Sequence, residues 1–460
     1  MRQHPRIPRL QPAGVCQRLT KKQLHRLLVK AYLAARQNER NDEGQLAFEM
    51  NLERNLVDLL NELWYRTYVP RPGFVFMISV PVKREVFASE FRDRIVQHLL
   101  FDFLEPVFEP TFIYDSYSCR KGKGTLFGIQ RMEHFVRCVS ENWTRRAWCL
   151  LIDISGYFMS IDKRILYKMI VDRLMAGAAS YETFMDLDFV VWLTDKLINR
   201  DPVKGVHFIS DRSSWKNFPE RKSMLGHPWW LGLPIGDLDS QLSSNIFLGA
   251  QDNYVKRELK LRLYGRYVDD SRGLDRDRVF LEEVLSAVTE FDRMTLGLEV
   301  HPDKSEIIDV REGVPFIGAM IMPFRTYCSS RTYNKVLKVA DELDSMCRKH
   351  DEREVLEKVL SKTNSYLGYL KYLREFRLMR RLADTEGMRM RFDVAPDYSK
   401  VTWKEKERQL IVTPDIGNIP RGIEFDWNMW GMGKELMLLD EGEKDWLMAD
   451  MELFDLVRND

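Results

Sequence analysis

Three aspartates carry the chemistry open to this sequence: the adjacent pair in Tyr267-Val268-Asp269-Asp270, and Asp153 at the end of the apolar run from Trp148 to Ile152. Leu261, Leu263 and Tyr264 lead into the pair and Ser271-Arg272-Gly273-Leu274 leads out, which reads as strand, tight turn and strand. Two carboxylates about 4 Å apart repel by about 4 kcal/mol at an effective dielectric of roughly 20, so a cation belongs beside them. Oxygen donors suit Mg²⁺, a hard ion that keeps waters and binds substrate phosphates. Alone, such a pair is more often a solvated turn. Asp153 changes that balance. A continuous apolar run of strand length bounded by Asp and Gly is the pattern of a buried central strand, and ligands of open α/β sheets bind where such strands end. Three carboxylates on neighbouring strand ends can hold two metal ions about 3.5–4 Å apart, one to activate an attacking oxygen and one to stabilise the leaving oxygen.

Asp153 with Phe158 five positions on, followed by Tyr267-Val268-Asp269-Asp270, resembles the palm of a reverse transcriptase. Five further stretches in the family's order extend the likeness over roughly residues 75–375. They are Phe91-Arg92-Asp93-Arg94, Asp115-Ser116-Tyr117-Ser118-Cys119-Arg120-Lys121-Gly122-Lys123-Gly124, Leu233-Pro234-Ile235-Gly236 through Ser240-Gln241, Leu298 through Ser305, and Phe316-Ile317-Gly318. The resemblance implies an α/β (α+β) right-hand polymerase with fingers, palm and thumb, plus helical N- and C-terminal extensions. The expected divisions are a basic extension over 1–70, fingers over 71–147, palm over 148–325 with an insertion at 164–232, thumb over 326–385 and an extension over 386–460.

The implied activity is RNA-directed DNA synthesis from dNTPs on an RNA template, with two Mg²⁺ ions (Mn²⁺ as an alternative) held by Asp153, Asp269 and Asp270. Lys304 matches the family's proposed general acid to the leaving pyrophosphate; a structural salt bridge to Asp303 or Glu306 is the other reading. Lys83 and Arg120 match the contacts to the incoming triphosphate, where bidentate arginine suits phosphate oxygens. Ile154, Phe158 and Gln241 would line the nucleotide, with the Phe158 ring closing off a ribose 2′-hydroxyl. Gly236, Ser240, Tyr267 and Arg374 would meet template or primer. Ser240-Gln241 and Pro234-Ile235-Gly236 depart from the forms usual in retron and group II intron enzymes. They resemble diversity-generating retroelement enzymes and the reverse transcriptases of phage defence, which implies a dedicated noncoding RNA. Defence is preferred here over diversification; untemplated or protein-primed synthesis and a catalytically silent RNA-binding scaffold are the alternatives.

Composition sets the bounds. The 460 residues suffice for two or three domains, and 45% hydrophobic with 30% charged residues is ordinary for a globular chain. Net charge is only +1, yet residues 1–42 hold ten Lys/Arg against Glu39 and Asp42, while residues 440–460 hold eight Asp/Glu against Lys444 and Arg458. That asymmetry suits a nucleic-acid groove and an acidic tail. The six cysteines form no Cys-x-x-Cys pair, which argues against zinc and against a disulfide framework. No apolar stretch reaches the roughly 18 residues that span a bilayer, so the expectation is a cytoplasmic protein with no membrane partner.

The elements that must position the aspartates follow from spacing. A Pro/Arg-rich arm occupies 1–18, and Thr20 with Gln23 forms a capping box for a helix with Leu24, Leu28 and Ala31 on one face. One helix is expected from Leu46 to Tyr65, alternation from Phe74 to Val86 reads as strand, and Thr125 caps a helix reaching Val139. Arg92-Asp93-Arg94 reads as an internal ion-pair network. Helices are expected over 165–174, 184–197 and from Asp239 onward, with a polar loop over 200–230 in which Trp229 and Trp230 either stack on bases or cover the core. Beyond residue 330, apolar stripes mark helices whose Lys371, Arg374, Arg377, Arg380 and Arg381 suit a duplex backbone. Residues 440–455 read as an amphipathic helix, for its own chain, for a partner protein or for a second copy.

Overall fold

The computed structural model describes residues 18–37, 42–78, 83–181 and 185–404. The chain divides into two compact units, Met1–Met390 with Val394–Val401, and Arg391–Asp393 with Thr402–Asp460. In the second unit the rings of Phe392 and Trp403 lie 5.0 Å apart. The arm over 1–17, the later tryptophans and the acidic stretch at 440–455 lie outside the described residues.

The first unit is mixed α/β. It begins with helices α1 (Lys21–Arg36), α2 (Glu43–Glu49) and α3 (Leu52–Trp64), strands β1 (Phe74–Ile78) and β2 (Arg84–Ala88), and helices α4 (Phe91–Phe108) and α5 (Thr125–Val139). Strand β3 (Trp148–Ile152), helices α6 (Tyr157–Ser160), α7 (Lys163–Ala176), α8 (Ala178–Tyr181) and α9 (Leu187–Ile198), strand β4 (His207–Phe208) and helix α10 (Leu238–Asn253) follow. Next come β5 (Leu263–Tyr267), β6 (Asp270–Asp275), α11 (Arg278–Phe291), β7 (Ile307–Asp309), β8 (Val314–Phe316), β9 (Ala319–Met322) and β10 (Arg325–Cys328). Helices α12 (Ser330–Lys349), α13 (Arg353–Tyr372) and α14 (Phe376–Ala383) follow. Three sheets have the strand orders β2-β1-β4, β5-β6-β3-β7 and β10-β9-β8.

The central sheet explains why β3 is apolar throughout. Cys149 and Leu151 face a cluster with Met132, Phe135 and Val136 of α5 and Phe316 of β8. Leu150 and Ile152 face the other way, against Leu281, Val284 and Val288 of α11. A strand buried on both faces has no polar side to show. Burial of each such side chain stabilises by about 1.5–3 kcal/mol, so the strand end is a rigid mount for Asp153.

Local signals decide most boundaries. The capping box of α1 forms, with Thr20 N donating to Gln23 Oε1 at 2.9 Å and Gln23 N to Thr20 Oγ1 at 3.3 Å. The single helix expected from Leu46 to Tyr65 is instead two: Asn51 leaves the helical region (φ −134°, ψ 49°), and Asp42 caps α2 through Gly44 N and Gln45 N. Thr125 is not the cap of α5. Gly124, at φ +112°, holds that place, and the Thr125 hydroxyl donates to Tyr267 Oη at 3.4 Å. The Arg92-Asp93-Arg94 network is present: Arg92 binds Glu62 and Asp93, and Asp93 accepts from Tyr68 Oη at 2.9 Å and Arg71 N at 2.7 Å.

The polar loop over 200–230 has a physical anchor. Glu85 of β2, 1% exposed, accepts from Trp215 Nε1 at 2.6 Å, Ser223 Oγ at 2.8 Å and Met224 N at 2.7 Å. Three donors satisfy a carboxylate that burial would otherwise penalise. Glu85→Ala strands those donors at about 1–3 kcal/mol each. Tryptic cleavage after Lys216, Arg221 or Lys222 is expected to speed up by about tenfold or more; an unchanged digestion rate would remove Glu85 as the anchor. Trp229 and Trp230 meet edge to face at 5.9 Å with Arg164 over the Trp230 ring, and Trp229 is 41% exposed, so Trp229 does not cover the core. Among the described residues no disulfide forms and no helix is long and apolar enough to cross a membrane.

Candidate active site

The register of the central sheet assembles the carboxylates. Ile152 pairs with Ser271, so Asp153 and Asp270 are the next opposed positions past the ladder. Tyr267 pairs with Asp270, leaving Val268 and Asp269 as a two-residue turn. Such turns need positive φ, usually from Gly or Asn. Here Val268 takes it at +57°, a strain of about 1–3 kcal/mol for a β-branched residue.

Something must hold that strain, and Arg266 does. Its side chain is wholly buried, and its guanidinium forks onto Asp252 of α10, with Nη2 at 2.7 Å and Nε at 2.9 Å. Nη1 donates to the carbonyl of Val268 at 2.6 Å. The Tyr264 hydroxyl lies 3.0 Å from Asp252 Oδ1 and 3.2 Å from Ser271 Oγ. These residues fix the turn from inside, and sequence reading missed them. The available signal was a charge in the middle of an otherwise apolar strand.

The electrostatics of the tip are unbalanced. Burial pushes the Asp269 carboxyl up to about 6, and the charges of Asp153 and Asp270 add to the shift. Burial also raises Asp270, while its ion pair with Arg272 opposes the rise. Arg272 is itself fixed by donation to Pro315 O at 2.9 Å. Lys304 Nζ donates to Asp153 Oδ2 at 2.9 Å, and its loop is tied to the strand end by His301 N to Asp153 O at 2.8 Å. The salt bridge of Lys304 is therefore with Asp153, not with Asp303 or Glu306.

Residues Asp153, Asp269, Asp270 and Lys304 thus come together, and the others distribute around them. Phe158 packs against the cluster of Val75, Phe87, Met159 and Met224, so the loop anchored by Glu85 helps to back its ring. Ile154 is buried and bridges Val300. Gly236, at φ +130°, sits where a Cβ would meet Phe87 O at 2.5 Å, and Ile235 O accepts from Phe87 N at 3.1 Å; only glycine fits that approach. Ser240 is buried and Gln241 exposed at the start of α10, while Tyr267 is half-buried beside Thr125. Lys83 Nζ donates to Lys216 O at 3.3 Å. Arg374, exposed at φ +56° between α13 and α14, lines a separate cleft.

Arg120 departs from the triphosphate role. Its side chain is 6% exposed and doubly bonded to Glu109, with Nη1 donating to Ile113 O at 2.7 Å and Ser116 O at 2.8 Å. A guanidinium so occupied is a strut of its own loop, not a free phosphate ligand.

As oriented, no three His, Cys, Asp or Glu side chains among the described residues converge into a ready metal-holding group. Asp153 is turned to Lys304 and Asp270 to Arg272. The donor set nonetheless fits a hard dication: all three groups are carboxylates on one edge, and burial with the charges of Asp153 and Asp270 raises Asp269 despite the opposing charge of Lys304.

No family model matches the chain. It is 27% identical over 325 residues to protein YkfC of Escherichia coli K12, covering 62% of this chain and 74% of that protein. Among solved structures, apo telomerase from Candida tropicalis superposes with TM-score 0.42 at 10% identity, over 72% of this chain and 66% of that one. Telomerase from Candida albicans in complex with a fragment of telomeric RNA gives 0.38 at 10% identity, over 72% and 64%. The chain spans less than two thirds of either telomerase chain.

Proposed function

We propose that this chain is a reverse transcriptase, an RNA-directed DNA polymerase of right-hand architecture. The central sheet would be its palm, β1, β2 and their neighbours its fingers, and α12 to α14 its thumb. The observation that carries this reading is the meeting of Asp153, Asp269 and Asp270 at adjacent strand ends, within the motif order described above. Mg²⁺ bound by these carboxylates would activate the attacking hydroxyl and neutralise the leaving phosphate. Lys304 lies beside Asp153 as a proton donor suited to the pyrophosphate, and it must release Asp153 for that carboxylate to take a metal. Arg272 stands in the same relation to Asp270.

Phe158 supplies sugar selection. Phe158→Ala is expected to raise the relative kcat/KM for ribonucleotides over deoxynucleotides by about 10–200-fold; an unchanged ratio would take the gate away from this ring. The template is a dedicated noncoding RNA and the setting phage defence, with the exposed basic residues of α13 and α14 on the duplex backbone. Sequencing the DNA made by protein purified with its own RNA tests this. A product that copies the bound RNA supports the reading, whereas homopolymer or random product replaces it with untemplated synthesis.

A further inference from the structure

A second cleft, outside the carboxylate site, has the chemistry of a nucleotide receptor. It encloses about 190 Å³ between α5, the loop that follows it, the β9–β10 turn and the end of α13. Its lining holds three arginines, Arg137, Arg325 and Arg374, against one acid, Glu133. That acid is already engaged by the hydroxyls of Thr326 and Tyr372. Arg325 lies 3.9 Å from Glu375, donates to Arg374 O at 3.4 Å and rests over the Tyr327 ring. Two further aromatic rings stand beside Tyr372 in the wall: Trp143, half-buried and packed on the core, and Phe324, 85% exposed at the turn tip.

Backbone strain gathers at the same place. Trp143 (φ +72°), Phe324 (φ +65°) and Arg374 (φ +56°) all occupy the left-handed region, although none is glycine. Each costs about 1–3 kcal/mol, and such residues cluster at ligand clamps. Phe324, 85% exposed at the tip of the β9–β10 turn, contributes nothing to the core and leaves its ring open to a ligand.

We infer that this cleft binds an unpaired nucleotide of RNA, the base against Phe324 and Trp143 and the phosphate on Arg137 and Arg325. Guanidinium forks fit phosphate oxygens, and flat rings beside them take an unstacked base of any identity. The site belongs to none of the strand ends that carry Asp153, Asp269 and Asp270. It would therefore tether RNA without taking part in nucleotide transfer.

Photocrosslinking tests this, using an RNA oligonucleotide of about 12 nucleotides that contains 4-thiouridine. The expected adduct maps to the peptides of Trp143 or Phe324. Phe324→Ala and Arg137→Gln each lower its yield by about tenfold, and transfer on a pre-annealed primer–template stays at the wild-type rate. Asp269→Asn abolishes transfer and leaves the adduct intact, so failure of the catalytic reading is distinguishable. Adducts confined to other peptides would overturn the assignment. So would a polyglutamate competitor that suppresses the adduct as effectively as unlabelled RNA, because the cleft would then be a site for acidic peptide.

Discussion

Replacing Asp269 with Asn is expected to abolish nucleotide transfer while making the metal-free protein more stable. Loss of a carboxylate that would hold the charge-stabilising metal costs several kcal/mol of barrier, about 10³-fold or more in rate. The stability change follows from linkage. The Asp269 carboxyl is raised from its ordinary 3.8 to about 6 by burial and by Asp153 and Asp270. A raised folded-state pKa contributes stability below about pH 4 that is lost as pH rises through 6, so at neutral pH the ionised group is a burden of up to about 3 kcal/mol. Asn removes it, and the variant's melting temperature above pH 6 should exceed the wild type's by several degrees. Added Mg²⁺ should raise the wild-type melting temperature and barely move the variant's. The wild-type response should fade as pH falls through about 6. Equal melting temperatures across pH 4–8 would mean that Asp269 is not under the load inferred here.

Arg266→Met should be among the most damaging single changes away from the carboxylates. It leaves Asp252 as a buried charge without its partner, which typically costs about 3–5 kcal/mol. It also frees the Val268 carbonyl, so the strained turn can relax and Asp269 shifts. Urea denaturation should show the midpoint falling steeply for Arg266→Met and less for Arg266→Met with Asp252→Leu, which removes both charges. Transfer should be lost in both, because neither retains the hydrogen bond to Val268. A double variant that regains stability and full activity would separate the ion pair from the positioning of the turn.

Much of this site was legible in the sequence because its signals are local. The apolar run before Asp153 announces a buried central strand, and Tyr267 to Leu274 announce a hairpin; both form. The errors arise where a partner lies outside the local pattern, whether across a loop or far along the chain. Arg120 sits in a Lys/Gly-rich stretch that suggests phosphate, but Glu109 and two carbonyls across the same loop claim it. Arg266 looks like an ordinary strand charge until Asp252 appears 14 residues upstream on α10. Glu85 has no local clue at all, since its donors lie 130–139 residues away. The break between α2 and α3 had a weak signal in Asn51, a residue that competes with helix through its own side chain. Gly124 was a stronger sign of the start of α5 than Thr125, because only the cap position needed its backbone freedom.

The most direct test of the central claim is incorporation of labelled dNTPs by the purified protein with its RNA. It would run with Mg²⁺ or with chelator, beside an Asp269→Ala/Asp270→Ala variant. Product that requires both the metal and the aspartates is the predicted result. Product that persists in the variant or under chelation would contradict the three-carboxylate mechanism. Absence of product under every condition, with RNA still bound, would leave a scaffold that keeps the sheet only to dock RNA.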